Sequence, residues 1–250
     1  MPHRFYLPPE QCQPPVLFLT GREAHHALKV LRLRPGENVL VLDGAGREFQ
    51  AQIISFDRDK AQLQVTATRS VPAPASTITL LQALPKGKIL ESIIQKATEL
   101  GVSRIVPLQT ERVVGQIPQA QAARKRDKWQ LIAIEAVKQC GSLWLPKVES
   151  PCTLRKFLDR HETFELSFIG SLQPGSRYAR LYFDAFFEKH TRRPQSVAVW
   201  IGPEGDFSPT EIAAIEASGA LAITFGSLVL RVETAAVYAL SILNHELQAL

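Results

Sequence analysis

The chain reads as an α/β protein, a small β-rich domain followed by a larger one in which strands and helices alternate. Three observations predict this. Residues 1–72 hold short apolar runs separated by turn residues, chiefly Asp43-Gly44-Ala45-Gly46 and Asp57–Lys60, which is hairpin chemistry. Residues 70–76, SVPAPAS, are small, Pro-rich and uncharged, the composition of a linker. From Thr77 onward strand-length apolar runs alternate with helical patterns, which implies a mostly parallel sheet with helices on its faces. The expected boundaries are 1–72 and 73–250.

In the first part, Val16–Leu19 is a strand, and Thr20 with Glu23 offers a capping box for a helix over Arg22–Leu33. Ala24, Ala27, Leu28 and Leu31 form the apolar face of that helix, and Arg34-Pro35-Gly36 stops it. Asn38–Leu42, Glu48–Phe56 and Ala61–Thr68 are strands, and a compact barrel is the natural closure for so few of them. In the second part, strands are expected at Ile78–Leu84, Arg104–Leu108, Leu166–Gly170, Ser196–Gly202 and Leu221–Phe225. Helices are expected at Lys88–Leu100, Gln121–Cys140, Leu154–Arg160 and Tyr178–Lys189, and at about Glu233–Leu247. Ser208-Pro209-Thr210-Glu211 supplies an N-cap, a first-position proline and a capping-box glutamate for a further helix ending at Gly219.

Composition excludes several classes. No apolar run approaches the ~20 residues of a membrane helix, and MPHRFYLPPE lacks a signal-peptide core, so a cytoplasmic protein is expected. Cys12, Cys140 and Cys152 are scattered, with no CxxC and no zinc spacing, so reduced thiols and no metal are expected. The net charge is +5, and it is unevenly spread. Residues 1–72 carry 9 basic and 7 acidic groups, 73–128 carry 9 and 4, and 129–250 carry 11 and 13. A basic first half fits a polyanion such as nucleic acid as well as it fits a solvated surface.

The chemistry concentrates in Val197–Ala236, which holds two Gly-containing loops, IGPEGD and FGSLVLR, each leaving an apolar strand. There is no GxGxxG after the first strand of this half, no Walker A, no GxSxG and no HExxH. Ligands of open α/β sheets bind at the carboxyl ends of strands, and Gly202, Gly205 and Gly226 let backbone approach one closely. Alone, GPEG between a strand and a helix is equally a plain turn.

IGPEGDFS and FGSLVLRVETAA, with LPKG, IIQKATELGV, ERVV and EAVKQCG upstream, resemble the RsmE family of SPOUT-class methyltransferases, and so do the N-terminal RFYL, HHALKVLRLRPGE and VLDGAGREF. The resemblance covers nearly the whole chain. It implies a PUA-like β-barrel, a SPOUT domain with a deep trefoil knot, and a homodimer whose active site is built partly from the last helix. The implied activity is S-adenosylmethionine-dependent methylation of N3 of a uridine (U1498 in the family) of 16S ribosomal RNA in the small subunit. The implied cofactor residues are Gly170, Ile201, Gly202, Pro203, Gly205, Phe225, Gly226, Leu228 and Leu230. Backbone groups would read the adenine edge, and the apolar side chains would pack its ring.

N3 of uracil carries a weakly acidic imide proton, so the proton must leave and the resulting charge must be stabilised. Arg231 is the candidate cation, with a salt bridge to Glu233 or Glu204 as its alternative role. Glu204 is either proton acceptor or loop brace. Arg4, Arg32, Arg34, Lys86, Lys88 and Arg112 are candidate RNA contacts. His25 and His26 read as surface or packing residues, and Arg124-Lys125-Arg126 as a solvated helix face. Three departures from the family pattern stand out. Asp206 replaces a second glycine, Ser142 replaces an arginine and Lys138 an acidic residue in one segment, and Leu228 replaces a basic residue. Two other readings remain. A SPOUT ribose 2′-O-methyltransferase is disfavoured because LRVETA stands where an SLNVS-type segment is usual; the other is a non-catalytic RNA-binding assembly factor.

Overall fold

In the computed structural model, residues 2–113, 117–171, 173 and 175–248 are described. They form two compact units, Met1–Ala73 with Ile134–Leu145, and Pro74–Ala133 with Pro146–Leu250.

The first unit is a five-stranded sheet of order β1-β3-β4-β5-β2, with β1 His3–Tyr6, β2 Val16–Thr20, β3 Asn38–Leu42, β4 Arg47–Asp57 and β5 Lys60–Ser70. β1 runs parallel to β3, and the other pairs are antiparallel. Alternate residues of all five strands, Phe5, Leu17, Leu19, Val39, Val41, Phe49, Ala51, Ile53, Ala61 and Leu63 among them, fill one buried core. Bulges between Gln50 and Ala51 and between Ile53 and Ser55 bend the long β4–β5 ribbon.

The helix expected over Arg22–Leu33 is shorter. α1 is Gly21–His25, and a π-type turn follows over His26–Val30. Its capping box does not form: the Thr20 side chain makes no cap bond. Glu23 is used elsewhere, because its carboxylate accepts from the Tyr6 backbone N–H (3.2 Å) and from Lys138 Nζ (2.8 Å). A long-range charge partner outcompetes a local cap. Lys138, buried, also pairs with Glu135 at 3.0 Å. Ser142 braces its own turn, donating to the Trp144 carbonyl and accepting from the Trp144 N–H.

The second unit is an all-parallel sheet of order β12-β10-β11-β6-β7-β8, with β9 also on β7. The strands are β6 Thr77–Ala83, β7 Arg104–Gln109, β8 Lys147–Val148, β9 Cys152–Thr153, β10 Leu166–Gly170, β11 Ser196–Ile201 and β12 Leu221–Ile223. The short β1, β8 and β9 were not legible in the sequence, because two- to four-residue strands carry no periodic signal. Helices α2 Ile89–Glu99, α3 Gln119–Cys140, α4 Leu154–Leu158, α5 Ala179–His190, α6 Pro209–Ala217 and α7 Val232–Gln248 lie within a few residues of the expected ones.

Helices cover both faces, so the strands read as nearly continuous apolar runs. Leu81, Ala83, Val106, Ile169, Ala198 and Trp200 pack with Phe157 of α4 and Ile215 of α6. On the opposite face Phe168 meets Tyr182 and Phe183 of α5, and α7 packs on β6, β11 and α2. Asn244 of α7 donates to the Leu100 carbonyl at 3.0 Å and so ties α7 to the end of α2.

Candidate active site

Three loops leave the carboxyl ends of the adjacent strands β12, β10 and β11, and parallel register brings those ends level. Gly170 lies opposite Ile223, and Ile201 opposite Gln82 of β6. A sheet edge of this kind is where an α/β fold binds its ligand.

The first loop, 202–207, is heavily tied. Its turn is closed by the Asp206 N–H donating to the Pro203 carbonyl at 2.9 Å. Asp206 sits at φ +60, and its carboxylate accepts from the Phe207 N–H at 2.7 Å. The family's usual glycine would take this left-handed conformation freely. Aspartate tolerates it and adds a local hydrogen bond, so the departure leaves a closed turn. A side chain at Gly202 would come within 2.8 Å of the Asp206 carboxylate, which would have to move from the Phe207 N–H to admit it. The Ser208–Glu211 capping box forms as expected, with both reciprocal bonds present.

Charged side chains then link this loop to its neighbours. Glu204 accepts from the Lys86 N–H at 2.9 Å, which joins it to the loop after β6. Buried Glu211 accepts from the Ser208 N–H through one oxygen and from the Glu111 N–H through the other, each at 2.9 Å. Arg112 Nη1 donates to the Gly205 carbonyl at 2.7 Å and to the Phe207 carbonyl at 3.4 Å. The capping box was readable as a local motif. The second oxygen of Glu211 and the reach of Arg112 join residues about a hundred positions apart, and no sequence signal marks them.

The second loop, 224–231, is nearly free of such ties. Thr224 Oγ1 accepts from the Gly226 N–H at 3.1 Å and contacts the Gly226 carbonyl at 3.3 Å. Gly226 has φ +106, a conformation a side chain would strain. Phe225 packs edge-on against Tyr238 of α7, and its ring lies so close to Gly170 that an added Cβ there would sit 2.6 Å away. That contact favours glycine at the end of β10 and seats the second loop against that strand end. Ile201 and Pro203 are buried, Phe225 and Leu230 are half-buried, and Leu228 is 73% exposed.

Arg231 is exposed just before α7, and its carbonyl accepts the first helical bond from Ala235 at 2.8 Å. Among the described residues its side chain makes no ion pair, so the alternative pairing with Glu233 or Glu204 does not form. Arg32, Arg34, Lys86 and Lys88 are exposed, and Arg32 sits at φ +54. Arg4 is engaged differently: its Nη1 donates to the carbonyls of Lys138 (3.2 Å) and Gln139 (3.1 Å) at the end of α3. Among the described residues no group of three or more His, Cys, Asp or Glu side chains could hold a metal ion, and no helix is long and apolar enough to cross a membrane.

Fold and cradle together define an RNA methyltransferase with a PUA domain. The RNA methyltransferase domain family matches residues 72–244, and the RNA methyltransferase PUA domain family matches residues 19–66. The chain is 33% identical to ribosomal RNA small subunit methyltransferase E of Synechocystis sp., over 100% of this chain and 79% of that one. It is 28% identical to the protein of that name from Bacillus subtilis, over 94% and 92%. Among solved structures, a chain from Legionella pneumophila with the bound cofactor SAM superposes with a TM-score of 0.86 at 34% identity, covering 97% of both. Ribosomal RNA small subunit methyltransferase E from Neisseria gonorrhoeae bound to S-adenosyl methionine gives 0.83 at 27% identity, again over 97% of both. The chain belongs to the ribosomal RNA small subunit methyltransferase E family.

Proposed function

We propose that this protein methylates N3 of a specific uridine in 16S ribosomal RNA of the small subunit, using S-adenosylmethionine. The observation that carries this reading is the cradle of Gly170, Gly202 and Gly226 at the ends of three adjacent parallel strands, in a chain of this family. The cradle fits the cofactor. The glycines would leave room for it, and backbone amides and carbonyls of the loops would read its adenine edge. Gly170, Ile201, Gly202, Pro203, Gly205, Phe225, Gly226, Leu228 and Leu230 would hold S-adenosylmethionine, whose sulfonium supplies an electrophilic methyl group when bound.

The chain's own work is at the uracil. The N3 proton would pass to solvent water, and the imide nitrogen would then accept the methyl group that the sulfonium of a bound cofactor gives up together with its charge. Arg231, exposed and without an ion pair among the described residues, stabilises the imide anion through the base oxygens. Glu204, bonded to the Lys86 N–H, acts as a loop brace. Arg32, Arg34, Lys86 and Lys88 meet phosphates, and the target uridine is single-stranded or splayed from its stack.

Residues 1–72 serve as the PUA-like RNA-binding domain and 73–250 as the SPOUT domain, with the C-terminal segment threaded as a trefoil knot. The family is the basis for the threading; in this chain β12 pairs at the sheet edge and α7 then returns to β6 and β11. A homodimer, formed partly by α7, would cover Tyr238 and the exposed Leu228 and Val229. A protein of this kind works in the cytoplasm. The test is methyl transfer from labelled cofactor to small subunits or 16S RNA, followed by nucleoside mass spectrometry. N3-methyluridine is expected. A ribose methyl, or cofactor binding without turnover, overturns the reading.

A further inference from the structure

We infer that Arg112 is a positioning residue of the cofactor loop and not a phosphate contact. The inference rests on the cofactor reading above. A guanidinium that reads phosphate presents its fork outward. Arg112 instead turns Nη1 onto two carbonyls of one loop, Gly205 at 2.7 Å and Phe207 at 3.4 Å. Its stem lies along the same loop: a Cβ placed on Gly205 would sit 3.7 Å from both Cβ and Cδ of Arg112. The backbone joins in next door, where the Glu111 N–H donates to the buried Glu211 carboxylate. The turn after β7 therefore grips the segment from Gly205 to Glu211 by a side chain and by the main chain.

Those two carbonyls belong to the loop whose backbone would face the cofactor. The charge-assisted bonds hold the Gly205 and Phe207 peptides in one orientation and so fix the course of a loop whose Asp206 and Phe207 N–H groups are already bonded within it. Without Arg112 the loop must be ordered when the cofactor binds, and that ordering weakens binding. Arg112 is as exposed as Arg32, Arg34, Lys86 and Lys88, but unlike theirs its charged group is engaged by the loop carbonyls.

Full-length wild type, Arg112→Met and Arg112→Lys are titrated with S-adenosylmethionine by calorimetry. They are also titrated with a single-stranded, uridine-containing RNA oligonucleotide across a salt series. Arg112→Met is expected to raise the cofactor Kd by about 10-fold or more, the loss of a charge-assisted hydrogen bond. Arg112→Lys, which keeps the stem and one donor, is expected to lie between it and wild type, and it carries the test if the methionine variant does not fold. The salt slope of RNA binding is expected to stay at its wild-type value. A cofactor Kd within about 2-fold of wild type, together with a slope reduced by about 0.7 (one phosphate contact on a single strand), assigns Arg112 to the RNA and overturns the inference. Wild type that binds no cofactor sinks the cofactor reading and this inference with it.

Discussion

The two Gly-containing loops of the cradle share a sheet edge and differ in everything else. The loop at 202–207 closes its own turn and is tied to neighbouring segments by Glu204, Glu211 and Arg112. The loop at 224–231 is pinned near its start by Thr224 and leaves Leu228 and Val229 73% and 83% exposed. Segments with many bonded backbone groups open rarely, and those with few buried contacts open easily. One loop is thus a preformed cradle. The other has apolar surface still to be covered, by cofactor or by a second copy of the chain.

The contrast can be broken at four points. Arg231→Ala removes a charge that makes no ion pair among the described residues. Single-turnover methyl transfer is expected to fall on the order of 100- to 1000-fold, the scale for one lost transition-state donor. The cofactor Kd should stay near wild type, and an equal loss in both would make Arg231 a cofactor ligand. Glu211→Ala acts on the tied loop. It leaves two N–H groups, of Ser208 and Glu111, without their acceptor and dissolves the capping box, so chemical denaturation should show a loss of about 3 kcal/mol. An unchanged midpoint would mean that the links between the loops carry no stability.

Gly170→Ala places a methyl group 2.6 Å from the Phe225 ring and is expected to cost about 1–3 kcal/mol as the ring is displaced. The cofactor Kd should rise with it, because Phe225 begins the untied loop. Leu228→Ala is the converse change. An exposed side chain truncated in a monomer alters stability by no more than about 0.5 kcal/mol. A weaker cofactor Kd or a shift toward monomer in sedimentation would show which partner covers it, and no change in either would remove Leu228 from the site.

A smaller effect lies away from both loops. The Arg192 guanidinium, and the Gln195 N–H after it, lower the Glu165 pKa from 4.5 to about 2. A depressed folded-state value means that the stabilisation is present above pH 4.5 and is lost as pH falls toward about 2. The pair lies at the surface, so Glu165→Gln should cost at most about 1 kcal/mol at neutral pH and flatten the acid limb of a stability–pH curve. An unaltered acid limb would show that the pair contributes nothing.

Legibility followed the range of the interactions. Val197–Ala236 was readable because its signals are local: an apolar strand, a glycine turn, Ser208-Pro209 with Glu211, then a second strand and turn. Arg231 stood out as the charged side chain of the second loop. The capping box expected at Thr20 fails for the opposite reason, because Glu23 fits a cap pattern locally but is taken by Lys138 over a hundred residues away. Arg4 and Arg112 looked alike as basic residues inside motifs of the resemblance. Folding placed one on the end of α3 and the other on the Gly205 carbonyl.

By itself, then, the sequence determined the alternation of strands and helices and the positions of the glycine turns. These depend on periodicity and backbone freedom within a few residues of each other. Only the tertiary structure decided which charges are free to meet a substrate and which are spent holding loops. It also decided that Gly170 exists to admit Phe225. Those outcomes depend on groups far apart in the chain meeting across a sheet edge, a condition that no local pattern encodes.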